Sequence, residues 1–197
     1  MGQDKALLSC GGRPLVAQAL SVLRDAGLQS AIAGAKSSLA DFAPVVQDST
    51  PDRGPLGGIC AALASTSARW LVFLPVDLPL LPSSLVAYLL HHARITENAV
   101  TVSSVSSFAQ TFPVVLERSV LPTLVSELSA GRGGCFATFQ AAAARLGQPV
   151  SVVAAELLVQ AGQVDHPQGL PPVRWFLNVN TEGDLLQANR NRVSWTH

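Results

Sequence analysis

The sequence predicts an α/β domain in three layers, with helices on both faces of a mostly parallel central sheet. Three observations predict it. Segments of strand character alternate with segments of helical period along the chain. Trp70-Leu71-Val72-Phe73-Leu74 is apolar on both faces, as a central parallel strand covered by helices must be. The 197 residues, 48% apolar and 13% charged against a usual ~25%, suffice for one sizeable core.

The elements follow in order. Pro14 opens a helix in which Leu15, Val16, Ala19, Leu20, Val22, Leu23 and Ala26 recur at helical spacing, and Gly27 stops it. Short strands are expected around Ser30 to Gly34 and at Pro44 to Val46, then a Pro-, Asp- and Gly-rich loop from Ser49 to Pro55. Leu56 to Ala64 reads as a helix with small residues on one side. After the Trp70 strand, Ser83 or Ser84 can cap a helix over Leu85 to His92. Ala99 to Val105 and Phe112 to Leu116 read as strands. Val120 to Leu128 and Phe136 to Leu146 read as helices, and Val150 to Val153 as a short strand. Trp175 to Val179 is expected as a further strand, before a helix opened by Thr181-Glu182. No repeat or linker interrupts the series, so residues 1–197 read as one domain.

Composition excludes several functions. Lys plus Arg and Asp plus Glu are 13 each, with no basic run, so no nucleic acid is expected as partner. No membrane partner is expected either. The longest apolar stretch, Trp70 to Leu81, is cut by Pro75, Asp77 and Pro79 and is shorter than the ~20 residues of a spanning helix. The first residues lead into no sustained apolar core of the signal-peptide kind. Cys10, Cys60 and Cys135 lack metal-type spacing and read as buried or half-buried thiols in a reducing cytosol, with no zinc site. His91, His92, His166 and His197 are expected to face solvent.

Four short segments can carry chemistry. Asp77 follows a buried strand and lies in Val76-Asp77-Leu78-Pro79. In α/β sheets ligands sit outside the carboxyl ends of strands, and a lone acid there suits a magnesium ion shared with substrate phosphates. Its plain alternative is to cap the turn before the Ser83 helix. Asp48 and Asp52 precede Gly54-Pro55-Leu56-Gly57-Gly58, where a nucleoside could lie against the start of a helix; the alternative is a glycine-rich helix packed tightly on the sheet. Lys5, in Asp4-Lys5, is a phosphate neutraliser or half of a surface pair. Asn178 and Asn180 project to one side of an extended segment and either orient a phosphate or cap the Thr181 helix.

In this order the segments resemble the molybdenum cofactor guanylyltransferase family. The matching stretches are Met1-Gly2-Gln3-Asp4-Lys5-Ala6-Leu7-Leu8 with Gly12-Arg13-Pro14-Leu15, Gly54-Pro55-Leu56-Gly57-Gly58-Ile59, Val76-Asp77-Leu78-Pro79, and Leu177-Asn178-Val179-Asn180-Thr181. The match is poor over residues 95 to 170. The resemblance implies a Rossmann-like nucleotidyltransferase fold. It also implies transfer of GMP from GTP to the molybdopterin cofactor with release of pyrophosphate, and magnesium as the cofactor. By position, Lys5 resembles the lysine on nucleotide phosphate. Asp52, Gly54, Gly57 and Gly58 resemble the guanosine-contacting loop. Asp77 resembles the magnesium ligand, and Asn178 and Asn180 the paired asparagines near the reacting phosphates and pterin. A molybdoenzyme or its chaperone is the implied protein partner, and the cytoplasm the implied compartment.

The family pattern opens on a strand and a loop of the Leu-Ala-Gly-Gly-x-Ser-x-Arg kind, and this chain begins at the methionine that follows that loop. The expectation is therefore an N-terminally truncated domain with its first strand missing and little guanylyl transfer of its own. Arg132, in Ser129-Ala130-Gly131-Arg132-Gly133-Gly134-Cys135, falls where the family has a mobile pterin loop, and otherwise sits in a helix-to-helix turn. The competing readings are a molybdopterin cytidylyltransferase, a sugar-phosphate nucleotidyltransferase, and a degenerate domain that binds a partner without chemistry.

Overall fold

The computed structural model describes residues 4–34, 37–47, 54–131 and 134–193. Its main sheet has four strands: β5 (Trp70–Phe73), β6 (Val100–Val105), β7 (Phe108–Glu117) and β8 (Ser151–Ala154), in the order β5-β7-β6-β8. Two short pairs stand apart from it, β1 (Ser9–Cys10) with β2 (Arg13–Pro14) and β3 (Ile32–Ala33) with β4 (Val45–Val46).

The expected α/β layering is what the chain adopts, and the sheet is mixed. β6 pairs with β8, and β3 with β4, in parallel, while β7 runs antiparallel to both β5 and β6. The cause is local. β6 and β7 form one hairpin through Ser106 and Ser107, whose φ values of 50° and 67° give the two left-handed residues of a type I′ turn. A two-residue turn cannot connect parallel strands. Glu156 Oε1 accepts the Ser106 N–H at 2.7 Å and pins the turn. The Ser-Ser sequence gives none of the usual Asn-Gly signal, so the two strands are legible separately and their hairpin is not.

Both faces of the sheet are covered. Leu56, Ile59 and Leu63 of α2 (Gly54–Ala64), Leu124 of α4 (Leu121–Ser129) and Phe139 of α5 (Cys135–Arg145) bury Val100, Val102, Val114 and Leu116. Leu85, Val86 and Leu89 of α3 (Ser83–Thr96) and Leu158 of α6 (Ala155–Gln160) bury the opposite face with Val115 and Trp175. Each fully buried Leu contributes about 1.5–3 kcal/mol, so these layers supply much of the fold's driving force. In β5, Leu71 and Phe73 pack on the first core and Trp70 and Val72 on the second, as its two-sided apolar pattern predicts. Yet β5 is antiparallel to β7 and lies at one end of the strand order, not centrally.

Several local expectations change. The helix α1 (Leu15–Asp25) starts after Pro14 and closes as a Schellman motif: the Leu28 N–H bonds Leu23 O, the Gly27 N–H bonds Arg24 O, and Gly27 takes φ 78°. No serine caps α3. Its cap position is Pro82, and Ser84 Oγ instead donates to Asp165 O at 2.6 Å. The strand expected at Trp175–Val179 is absent. Pro172–Trp175 is one helical turn, α7, because Pro171 and Pro172 preset its φ and the buried Trp175 indole donates to Leu170 O at 2.7 Å. Residues 177–180 form no regular secondary structure. The chain ends its described part in α8 (Glu182–Val193).

His91 is exposed as expected, but His92 and His166 are half-buried and bonded, to Ser151 Oγ and Leu80 O at 3.1 Å each. His166 also stacks on Trp175. Cys10 and Cys60 are buried and Cys135 is half-buried, none of them in a disulfide; burial raises the Cys135 pKa. Among the described residues no helix is long and apolar enough to cross a membrane.

Candidate active site

The site assembles because apolar neighbours of its polar residues share one core. Ala6, beside Lys5, is buried with Val16 and Leu39, and Val76 packs on that group. Val76 also packs on Cys10, Leu15, Val179 and Ala188. One valine, next in sequence to Asp77, thus touches the cluster that seats Lys5 and the cluster that seats the Asn178–Asn180 segment.

Each polar residue is then placed by backbone. A single 3-10 turn, Lys5–Leu7, holds Lys5, and Asp4 Oδ1 caps it by accepting the Ala6 N–H. Asp77 lies four residues beyond β5, in the proline-rich exit of that strand. Its carbonyl accepts the Val179 N–H at 2.9 Å, which fixes the asparagine segment alongside. Val179 is fully buried while Asn178 and Asn180 are exposed, so both asparagines face solvent as their spacing predicts, without a strand.

The result is a lysine held between two oxygens. Lys5 Nζ donates to Asp77 Oδ2 at 2.8 Å and to Asn180 Oδ1 at 2.5 Å, joining positions 72 and 175 residues away. Asp184 stands behind them. Its Oδ2 accepts the N–H groups of Asn180 (3.0 Å) and Thr181 (2.8 Å), while Thr181 Oγ1 accepts the Asp184 N–H (3.1 Å). The Asn180 N–H bond, with the Thr181 bonds and the charge of Lys5, holds the Asp184 carboxyl below the ordinary carboxylate value. Sequence reasoning missed Asp184. The signal was present, since Thr181-x-x-Asp184 has capping-box spacing at a helix start.

The glycine segment is placed differently. Gly54 opens α2 at φ 64°, a conformation that disfavours any side chain there. Gly57 and Gly58 are buried within α2, and a Cβ on Gly58 would sit 3.4 Å from the Ala33 carbonyl carbon and the Gly34 nitrogen. Gly58 therefore lets the helix lie close on β3. Asp48, Asp52, Arg132 and His197 lie outside the described residues.

The chemistry of these groups suits a magnesium ion shared with phosphates. Among the described residues no three His, Cys, Asp or Glu gather into a protein cage. Asp77 offers one hard carboxylate, and magnesium often takes one or two protein carboxylates and completes its shell from water and phosphate. Lys5 provides the positive charge beside it.

Fold and side-chain cluster together define an α/β domain with a lysine, a carboxylate and a carboxamide gathered beyond the exit of β5. The profile of the MobA-like NTP transferase domain matches residues 1–146, and the chain belongs to that family. A molybdenum cofactor guanylyltransferase of Xanthomonas euvesicatoria pv. vesicatoria (strain 85-10) is 46% identical over 92 residues. That match spans 46% of this chain and 47% of the relative, about half its length. One of Vibrio atlanticus (strain LGP32) is 34% identical over 134 residues, 66% of this chain and 68% of the relative. Among solved structures, the molybdopterin-guanine dinucleotide biosynthesis protein A of Archaeoglobus fulgidus superposes with a TM-score of 0.74 at 16% identity, covering 96% of this chain and 90% of its own; it shows the shared fold.

Proposed function

We propose that this chain transfers GMP from GTP to molybdenum-bound molybdopterin, forming the guanine dinucleotide cofactor and releasing pyrophosphate, in the cytoplasm and at the low rate expected from its sequence. The observation that carries the reading is the convergence of Lys5, Asp77 and Asn180 on one point from distant parts of the chain. The names of the relatives supply the substrates.

The chemistry asks little of a general base. The attacking oxygen belongs to the terminal phosphate of the pterin and is already anionic. It bonds the α-phosphorus of GTP as the bond to the β-phosphate oxygen breaks, and pyrophosphate leaves with the electron pair. Two anions must be aligned and their repulsion screened, so positioning and electrostatics dominate the barrier. Lys5 Nζ moves its donor bonds from Asp77 to a phosphate oxygen. Asn180 and Asn178 present carboxamides to the incoming pterin phosphate. Asp77 would hold a magnesium ion, which would supply further charge neutralisation to the phosphates. Asp52, Gly54, Gly57 and Gly58 belong to the nucleoside end of the site on the strength of their position in the family pattern. A molybdoenzyme or its chaperone then takes up the product.

The test is pyrophosphate release from GTP with molybdenum-bound molybdopterin and Mg²⁺. Turnover with GTP should exceed turnover with CTP by at least about tenfold, and Asp77→Asn should lower kcat by about 10²–10³ with the fold retained. Preference for CTP would transfer the reading to cytidylyl transfer. No release with either nucleotide would favour a binding domain without chemistry.

A further inference from the structure

Lys5 reaches Asn180 across nearly the whole chain, and Asn180 lies in a segment without regular structure. Something must hold that segment. Val179 anchors one side of it through its buried side chain and its bond to Asp77 O. The other side is held from α8. There Asp184 Oδ2 takes two successive N–H groups, Asn180 and Thr181, and Thr181 Oγ1 returns a bond to the Asp184 N–H. Helix α8 is itself seated, since Leu185 and Ala188 pack with Cys10, Leu15 and Val179, and Asn189 Oδ1 accepts the Gly11 N–H at 2.6 Å. The Gly11 turn belongs to the β1–β2 hairpin, shortly after Lys5 in sequence. One helix therefore ties both partners of the lysine contact to a common frame.

We propose that Asp184 is a positioning residue: its carboxylate, by fixing the backbone of Asn180 and Thr181, holds the Asn180 carboxamide oxygen on Lys5 Nζ and so sets where the lysine charge stands relative to Asp77. The proposal rests on the reading of Lys5 and Asp77 as the transfer site. It gives Asp184 no contact with substrate. A short carboxylate is suited to this task because two adjacent N–H groups can converge on one oxygen, and charge-assisted bonds of this kind are stronger than neutral ones. An alanine there would leave both N–H groups to water and the Asn180 side chain without a fixed base.

The chain contains two lysines, Lys5 and Lys36, so lysine-¹⁵N labelling yields two side-chain ammonium signals. In the ligand-free protein, Asp184→Ala should move the Lys5 signal towards its position in Asn180→Ala and leave the Lys36 signal in place. Asp184→Asn keeps one acceptor oxygen and should restore most of the shift. In the transfer assay, Asp184→Ala should lower kcat about ten- to a hundredfold with KM for GTP changed less than about twofold, because misplacement rather than lost contact is the fault. In an Asn180→Ala background the same change should cost less than about twofold. An unmoved Lys5 signal in folded Asp184→Ala, or a full additional loss in the Asn180→Ala background, would overturn the proposal. If the chain transfers nothing from GTP, the guanylyl reading fails, and the ammonium signals still decide the part Asp184 plays.

Discussion

The contact between Lys5 and Asp77 is short, at 2.8 Å, but their side chains are 36% and 23% exposed. An ion pair so open to water is worth about 0–1 kcal/mol, too little to be a pillar of the fold. Its cheapness suits the proposed role, in which the lysine leaves the carboxylate when phosphate arrives. Asp184 differs in kind, because its carboxylate is bound to backbone. Its carboxyl is held below 3.8, chiefly by the Asn180 N–H, so the folded state favours the ionised form. The stability this gives is fully present above pH 3.8 and is lost as pH falls through the lower folded-state value. Melting temperatures of the wild type and Asp184→Asn should therefore converge as pH is lowered from about 5 towards 2. A gap that stays constant over that range would contradict the assignment. Of these residues, the sequence makes Asp77 legible as a candidate, since a carboxylate after a two-sided apolar strand and between prolines suits a metal ion or the turn before α3. The joining of Lys5 to Asn180 was not legible from residue pattern alone, because it depends on which apolar neighbours share a core.

Among the elements, α2 shows what a glycine run does for packing. Whatever Gly54-Pro55-Leu56-Gly57-Gly58 contacts at its open end, Gly58 faces the backbone of Ala33 and Gly34 across a helix–strand contact. An alanine Cβ would meet those atoms at ordinary contact distance and gains about 1 kcal/mol of helix propensity. Larger side chains have no room. Gly58→Ala should unfold in urea within about 1 kcal/mol of the wild type, and Gly58→Val should lose about 1–3 kcal/mol through overpacking. Equal stability of the two variants would mean that α2 and β3 are not in close contact. The other elements divide by the strength of their local signals. Helices α1, α2, α4 and α5 follow apolar periodicity and a Pro or Gly boundary, and the sequence places them within a few residues. The β6–β7 turn and α7 escape such reading: the first is held by Glu156 from a distant helix, and the second takes Trp175 out of an apolar run that looks like a strand.

At the scale of the molecule, and among the described residues, two cores hold the layers and two smaller apolar clusters, joined by Val76, hold the candidate site. The large cores are what the composition announces. The small clusters link the start of the described chain to α8, and they are why residues 5, 77, 180 and 184 come together. This long-range closure is the part a linear reading cannot supply. The most direct test is a crystal structure of the chain with GTP and Mg²⁺. The account predicts the ion at about 2.0–2.1 Å from an Asp77 carboxylate oxygen and Lys5 Nζ on a phosphate oxygen. An ion bound away from Asp77, with Lys5 still paired to that carboxylate, would contradict it.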